Sequence, residues 1–212
     1  MDIILRNERE EDYKIVEQLT REAFWNVHVP GCNEHYLVHI MRGSEQFIPE
    51  LDFVAEMNGK IVGNIMYMHS TITDNDDKMH PVITFGPISV LPKHQNKGIG
   101  SKLIDHSMKH AREMGYPAVL IYGDPEYYRR FGFVPAENYG IKSSAGMYVA
   151  ALQACELSHG ALNEISGKFV EGDIYKLDER EVAEFDKQFP EKVKCHKPTQ
   201  DRFAEVLKMT HE

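Results

Sequence analysis

Residues 51–72, LDFVAEMNGKIVGNIMYMHSTI, carry the local signal that most constrains the fold. Two runs rich in β-branched and aromatic residues flank the pair Asn58-Gly59. Asn-Gly accepts the positive φ angles of a two-residue type I′ turn, whose twist matches that of the strands it joins. A β-hairpin is expected here, so the fold must contain an antiparallel strand pair.

The flanking sequence alternates helix and strand patterns. Residues 2–6 (DIILR) read as a short strand, and Asn7 with Glu10 resembles a capping box. Apolar residues at Tyr13, Val16, Leu19, Ala23 and Phe24 recur at helical spacing, which predicts a helix over 9–26. A second helix is expected within 33–43. After the hairpin, the polar run 73–78 (TDNDDK) reads as a loop and 82–90 (VITFGPISV) as a strand. Pro87 removes one ladder donor and implies an irregularity or opening there. Ile104, Met108 and Ala111 share a helical face, as do Leu103 and Met114, and Gly115 with Pro117 ends that helix. The continuously apolar 118–122 (AVLIY) suits a strand covered on both faces. A short helix ending at Gly132 follows, then a strand over 147–155. Further on, 167–177 could add a strand, Asp178 with Glu181 could cap a helix over 179–188, and Thr199 could cap another reaching about 208. The order is β-α-α-β-β-β-α-β-α-β, a mixed α/β sheet domain with a tail. No internal repeat or low-complexity segment interrupts it.

At 212 residues the chain can bury a sizeable core without disulfides or metals. Its formal net charge of −9 argues against a nucleic-acid partner, since phosphate-backbone binding draws on Lys and Arg. Cys32, Cys155 and Cys195 are far apart and odd in number, so neither a disulfide framework nor a thiolate zinc site is indicated. No secretory start and no membrane-spanning apolar run are read, and the expected setting is cytoplasmic and reducing.

The chemistry concentrates in 89–103, SVLPKHQNKGIGSKL, where a strand passes through a two-glycine loop into a helix. Helix amino ends present unpaired N–H groups and partial positive charge, and glycines let an anion approach the backbone. A dinucleotide fingerprint would need a third glycine where Leu103 stands, and a P-loop needs Gly-Lys-Ser/Thr where this chain has Gly-Ser-Lys. The remaining match is [QR]-x-x-G-x-[GA], met by Gln95, Gly98 and Gly100. It follows the proline-bearing strand PISVLP, precedes the buried strand AVLIY, and is followed by Tyr128, four residues before Gly132-Phe133. In these features, spread over 82–133, the chain resembles the GNAT superfamily of N-acetyltransferases and, within it, a YhbS-like branch. The likeness extends more loosely to 1–155.

That resemblance implies a GNAT-like α/β (mixed α+β) fold, with a central, mostly antiparallel sheet splayed at an acetyl-CoA cleft and flanked by helices. Residues 1–155 would form the catalytic domain, and 156–212 an extension packed on it or used in a homodimer. The implied activity is acetyl transfer from acetyl-CoA to a primary amine by direct attack. The loop Gln95, Asn96, Lys97, Gly98, Ile99, Gly100 and Ser101 would hold the pyrophosphate. Ile88, Ser89 and Val90 would pair with the pantetheine arm, and an N–H of Ile88 or Val90 would face the oxyanion. Phe131 either lies against that arm or fills the core. Tyr128 matches the tyrosine that protonates the departing sulfur, with Tyr127 as the register alternative. Glu22, Glu56, His69 and Asp124 are candidates for the base, none singled out. The acceptor is unspecified; an acidic chain leans toward a cationic amine such as a polyamine, an aminoglycoside-like amine or a peptide amine. A non-catalytic acyl-CoA-binding module is the alternative.

Other patterns favour bland readings. His35/His39 and His106/His110 have the i, i+4 spacing of zinc ligands but lack the Glu of H-E-x-x-H, so solvent-exposed histidines are expected. Cys195-His196 are sequence neighbours, unlike a nucleophile and its base, and the acidic 74–77 lacks calcium-loop spacing. Arg129-Arg130 reads as an exposed pair. No metal and no membrane partner are expected.

Overall fold

A computed structural model describes residues 2–212. The elements in chain order are β1 (Ile4–Asn7), α1 (Tyr13–Phe24), α2 (Glu34–Met41), β2 (Phe53–Met57), β3 (Lys60–Thr73) and β4 (Met79–Val90). Next come α3 (Ile99–Glu113), β5 (Ala118–Tyr122), α4 (Pro125–Tyr128), β6 (Val134–Pro135), β7 (Ile141–Lys142), β8 (Tyr148–Val149), β9 (Leu152–Glu156) and β10 (Gly167–Val170). The chain ends with α5 (Glu179–Asp186), α6 (Pro198–Lys208) and β11 (Thr210–His211).

Hydrogen-bonded neighbours run β1-β2-β3-β4-β5-β9-β6, with β10 joined to β3 and β7, and β11 to β8. The β4–β5 and β7–β10 pairs are parallel, whereas β1–β2, β2–β3, β3–β10, β5–β9 and β6–β9 are antiparallel. This is a mixed, mostly antiparallel sheet flanked by helices. The Asn58-Gly59 hairpin forms as its chemistry demands, with φ of 52° and 70° at the two turn residues. The registered β4–β5 ladder is confined to Ile83↔Val119, although β4 runs on to Val90.

The chain divides into two compact units. The first comprises Met1–Tyr67, Gly86–Ser107 and Asp173–Asp201. Val16 and Leu19, one turn apart on α1, pack with Val54 and Ile61, and Leu91 joins them. Each such side chain taken out of water contributes roughly 1.5–3 kcal/mol. Gly63 is required here: a Cβ would stand 3.0 Å from the Ser89 carbonyl and 3.1–3.2 Å from Leu103 and Ile99. That close approach seats the start of α3 on β3.

Residues of the C-terminal segment are bonded into this unit. Arg21, 2% exposed, donates to both carboxylate oxygens of Asp186 at 2.6 and 3.1 Å, with its guanidinium 4.2 Å from the Trp25 ring. Trp25 Nε1 donates to the Val193 carbonyl at 3.0 Å, and Gln200 Nε2 to that of Asn26 at 3.2 Å.

The second unit comprises Met68–Phe85, Met108–Gly172 and Arg202–Glu212. Its core gathers alternate residues of several strands: Ile72, Val82, Ala118, Leu120, Leu152, Ala154 and Phe169, with Tyr122 packed against them. In α3, Leu103, Ile104, Met108 and Ala111 are buried as the periodicity predicts, but Met114 is 44% exposed.

Several local expectations need correction. Asn7 lies in β1, where its side-chain amide donates to the carbonyls of Pro49, Glu50 and Asp52. The helical start is instead held by Asp12, whose carboxylate accepts from the Arg9 N–H at 2.9 Å. The strand expected over 147–155 is two strands, because its halves have different partners: β8 pairs with β11, whereas β9 pairs with β5 and β6. α6 begins at Pro198, whose fixed φ and missing N–H suit the first helical position, so Thr199 sits inside the first turn. His35 is 0% exposed, with its ring 5.4 Å from those of both Phe185 and Phe189. His106 packs edge-on to Phe53 at 4.7 Å.

Candidate active site

The expected site residues fall in both units, each described by itself. In the first unit, alternation along β4 turns Ser89 inward, where its hydroxyl donates to Thr20 Oγ1 at 3.0 Å, and leaves Ile88 and Val90 partly exposed. A single 3-10 turn over Pro92–His94 then leads into the glycine loop. Asn96 and Gly98 adopt φ of 58° and 78°, the left-handed region that Asn and Gly tolerate. Gln95 Nε2 donates to the Val90 carbonyl at 3.0 Å, tying the loop to the strand end, and Lys97 Nζ donates to the Lys93 carbonyl at 2.8 Å.

α3 begins at Ile99. No acidic residue occupies its first turn, so no carboxylate offsets the partial positive charge of its amino end. The position of a Cβ on Gly98 has no neighbouring atom within 4 Å. Gly98, Gly100 and Ser101 are therefore gathered at an open helix amino end, an arrangement that receives phosphate oxygens through backbone N–H groups.

In the second unit, β5 ends at Tyr122 and the chain turns through Gly123 into α4. Asp124 caps that helix, accepting from the Glu126 N–H at 2.9 Å. Tyr128 lies directly over Gly123: a Cβ there would stand 2.3 and 2.6 Å from Tyr128 Cε2 and Cδ2. The Tyr128 ring is half-buried, with its centroid 5.9 Å from Phe85 and 5.7 Å from Phe133. Burial raises its phenol well above the ordinary value, and Tyr127 adds to the effect, so the oxygen holds its proton through the neutral range. Tyr127 is exposed, with Arg130 stacked on its ring at 4.6 Å. Phe131 lies between these features, 5.8 Å from Tyr127 and 6.5 Å from Tyr128 by ring centroids.

Three of the candidate bases have carboxylates already partnered. Glu22 pairs with Lys192 at 2.8 Å and Glu56 with Arg6 at 3.2 Å. Asp124 is committed to its cap and stands 3.8 Å from Arg202. His69 is exposed on β3, its ring 5.7 Å from that of Tyr116. Asp74, in the acidic run, accepts from the Asp76 and Lys78 N–H groups and contacts His80 at 2.8 Å, which makes it the brace of a turn.

Sequence reasoning missed the contact between Gly123 and Tyr128, although a glycine closing an apolar strand is a signal for close approach. It also missed Glu171 and Ser70, which nothing in their local sequence distinguishes. Glu171 follows β10, and its carboxyl is pushed up to about 7 by burial.

Comparison with known proteins places this chain in a family. Residues 5–136 match the acetyltransferase (GNAT) domain. The uncharacterized N-acetyltransferase YhbS of Escherichia coli is 26% identical over 166 residues, covering 78% of this chain and 93% of YhbS. The uncharacterized N-acetyltransferase YjhQ of Escherichia coli is 35% identical over 101 residues, 47% of this chain. That match spans 54% of YjhQ, about half its length. A GNAT family acetyltransferase from Brucella melitensis, solved in complex with acetyl-CoA, superposes with a TM-score of 0.67 and 26% identity, covering 82% of this chain and 98% of the other. The chain belongs to the GNAT family of acetyltransferases, and its likeness is to the YhbS-like members.

Proposed function

We propose that this chain transfers the acetyl group of acetyl-CoA to a primary amine by direct attack. The observation that carries this reading is the open glycine loop at the amino end of α3, where Gly98 at φ 78° leaves clear space before a helix turn free of acidic residues. In this reading the loop from Gln95 to Ser101 receives the pyrophosphate through its backbone. The exposed edge at Ile88 and Val90, beyond the β4–β5 ladder, pairs with the pantetheine arm and presents an N–H to the oxyanion. Ser89 holds that edge in place from behind through Thr20. Phe131 flanks the arm.

Tyr128 is the proton donor to the departing sulfur. Its phenol, raised by desolvation, stays protonated at neutral pH, as a donor must, and a developing thiolate is basic enough to take or share the proton. Tyr127, exposed and stacked with Arg130, lacks that environment. The bonds from Arg21, Trp25 and Gln200 support reading residues 156–212 as an extension folded onto the same chain. The net charge of −9 favours a cationic acceptor.

Calorimetric titration with acetyl-CoA, beside Gly98→Glu, tests the reading. Binding by the wild type that the variant abolishes is expected, followed by thiol release with members of a panel of polyamines, aminoglycosides and lysine peptides. Tyr128→Phe should bind acetyl-CoA normally and turn over slowly. A folded wild-type protein that does not bind acetyl-CoA refutes it.

A further inference from the structure

The second unit contains a carboxylate that nothing in the fold explains. The antiparallel β3–β10 register runs Lys168↔Thr73, Phe169↔Ile72 and Val170↔Thr71. β10 ends at Val170, and the same register continued by one residue sets Glu171 against Ser70. Strand alternation puts Ser70 on the face of Phe169 and Ile72, the core face of this unit, and carried one residue past β10 it puts Glu171 there too. Tyr122, at the end of β5, belongs to the same face, with its ring 6.1 Å from Phe169. Gly123, the next residue, is the one on which the Tyr128 ring lies.

Three polar groups, with no common protein partner among the described residues, therefore fall toward one end of this core. The Ser70 side chain is 5% exposed, and its buried Oγ makes no hydrogen bond. The Glu171 carboxylate makes no hydrogen bond or ion pair among the described residues. It does act on Tyr122, whose phenol is pushed up to about 12 by burial and then by the Glu171 charge. Among the described residues no cation acts on the carboxylate. Tyr122 is the titrating neighbour from β5, and Ser70 the polar neighbour from β3. Asp173, further along the chain, is exposed and bonded to Lys176 at 2.7 Å.

A half-buried carboxylate with no partner, near a buried hydroxyl that also lacks one, is costly unless a ligand completes the pair. A primary ammonium has the complementary charge, and its three N–H donors match the carboxylate, the Ser70 hydroxyl and the Tyr122 oxygen.

We infer that Glu171, with Ser70 and Tyr122, receives the acceptor's ammonium group and that Glu171 is the base that deprotonates it. This rests on the acetyltransferase reading above and adds its acceptor subsite. An ammonium N–H bond breaks and an O–H bond forms on Glu171, freeing the nitrogen lone pair to attack the thioester carbonyl carbon. The C–N bond forms, the C–S bond breaks, and the sulfur takes the Tyr128 proton. A second nitrogen proton, lost as the amide forms, returns through solvent to Tyr128, and Glu171 releases its own to solvent. The net products are the N-acetyl amine, the free thiol and one proton. Burial supports the role by placing the carboxyl near 7, where it can both accept and release a proton.

The test compares wild type, Glu171→Gln and Glu171→Asp using whichever amine of the panel is turned over. Glu171→Gln should lower kcat about 100-fold at pH 8 and remove the rise in rate through pH 7, leaving the Kd of acetyl-CoA unchanged. Glu171→Asp should recover part of the rate. Infrared difference spectra between pH 5 and 9 should show a carboxyl band titrating near 7 that Glu171→Gln removes. Turnover and pH profile within twofold of wild type in Glu171→Gln, or no such band in wild type, overturns the assignment of Glu171 while leaving the acetyltransferase reading intact. A wild type that binds acetyl-CoA but acetylates no amine overturns that reading, and this inference falls with it.

Discussion

Gly123→Ala perturbs the proposed proton donor without touching it. Gly123 needs no positive φ, so alanine brings no backbone strain; its whole effect comes from the added methyl. That methyl would stand 2.3 Å from Tyr128 Cε2 and 2.6 Å from Cδ2, where ordinary contact begins near 3.4 Å. The ring edge must therefore retreat by about 1 Å, toward Phe85 and Phe133, which pack against it. Overpacking of this kind costs about 1–3 kcal/mol. A donor displaced by about 1 Å loses on the order of 100-fold in rate. Urea denaturation should show the stability loss in the wild-type background and almost none in Tyr128→Ala, where the obstructing ring is gone. Thiol release should fall by the stated factor while calorimetric binding of acetyl-CoA is preserved. The reasoning is refuted if Gly123→Ala is as stable and as active as wild type, or if its stability cost persists undiminished in the Tyr128→Ala background.

Other expectations follow from buried charge. Arg21→Ala should cost about 3–5 kcal/mol in urea denaturation, because it strands Asp186 beside His35, 3.0 Å away. His35 is held near 4 by burial, so its contribution to stability is present above its unfolded value near 6.5 and is lost as pH falls toward 4. The limit is roughly 3 kcal/mol, and the difference between wild type and His35→Leu across that window isolates it. Glu171 has the opposite sign. Its carboxyl is raised from 4.5 to about 7, so its contribution is present below 4.5 and lost as pH rises through 7. Glu171→Gln should therefore gain about 1–2 kcal/mol over wild type at pH 8 and little at pH 4, after discounting for partial exposure, as read by thermal denaturation at both values.

Much of the fold was legible because its signals are local. The Asn58-Gly59 turn, the apolar run of β5, the helical spacing of α1 and α3, and the glycine loop each depend on residues within one turn or one strand. Tyr128 was singled out by its short spacing to Gly132-Phe133. Pairings between distant segments were not legible. Nothing around Asp186 announces that it will meet Arg21, and His35 reads as a surface residue until α5 lays Phe185 over it. The strand expected over 147–155 broke because its two halves answer to different partners.

The sequence by itself determined where the chain turns, where most helices and strands lie, and which glycine loop leads into a helix amino end. Those properties follow from φ preferences, side-chain periodicity and backbone N–H groups that a few neighbouring residues control. Only the tertiary structure decided which polar groups lose their water and which find a partner. Ser70 and Glu171 are about a hundred residues apart, and it is the β3–β10 pairing, which runs as far as Val170↔Thr71, that brings their segments together. Burial then shifts the carboxyl, and no stretch of sequence around Glu171 encodes the desolvation that does so.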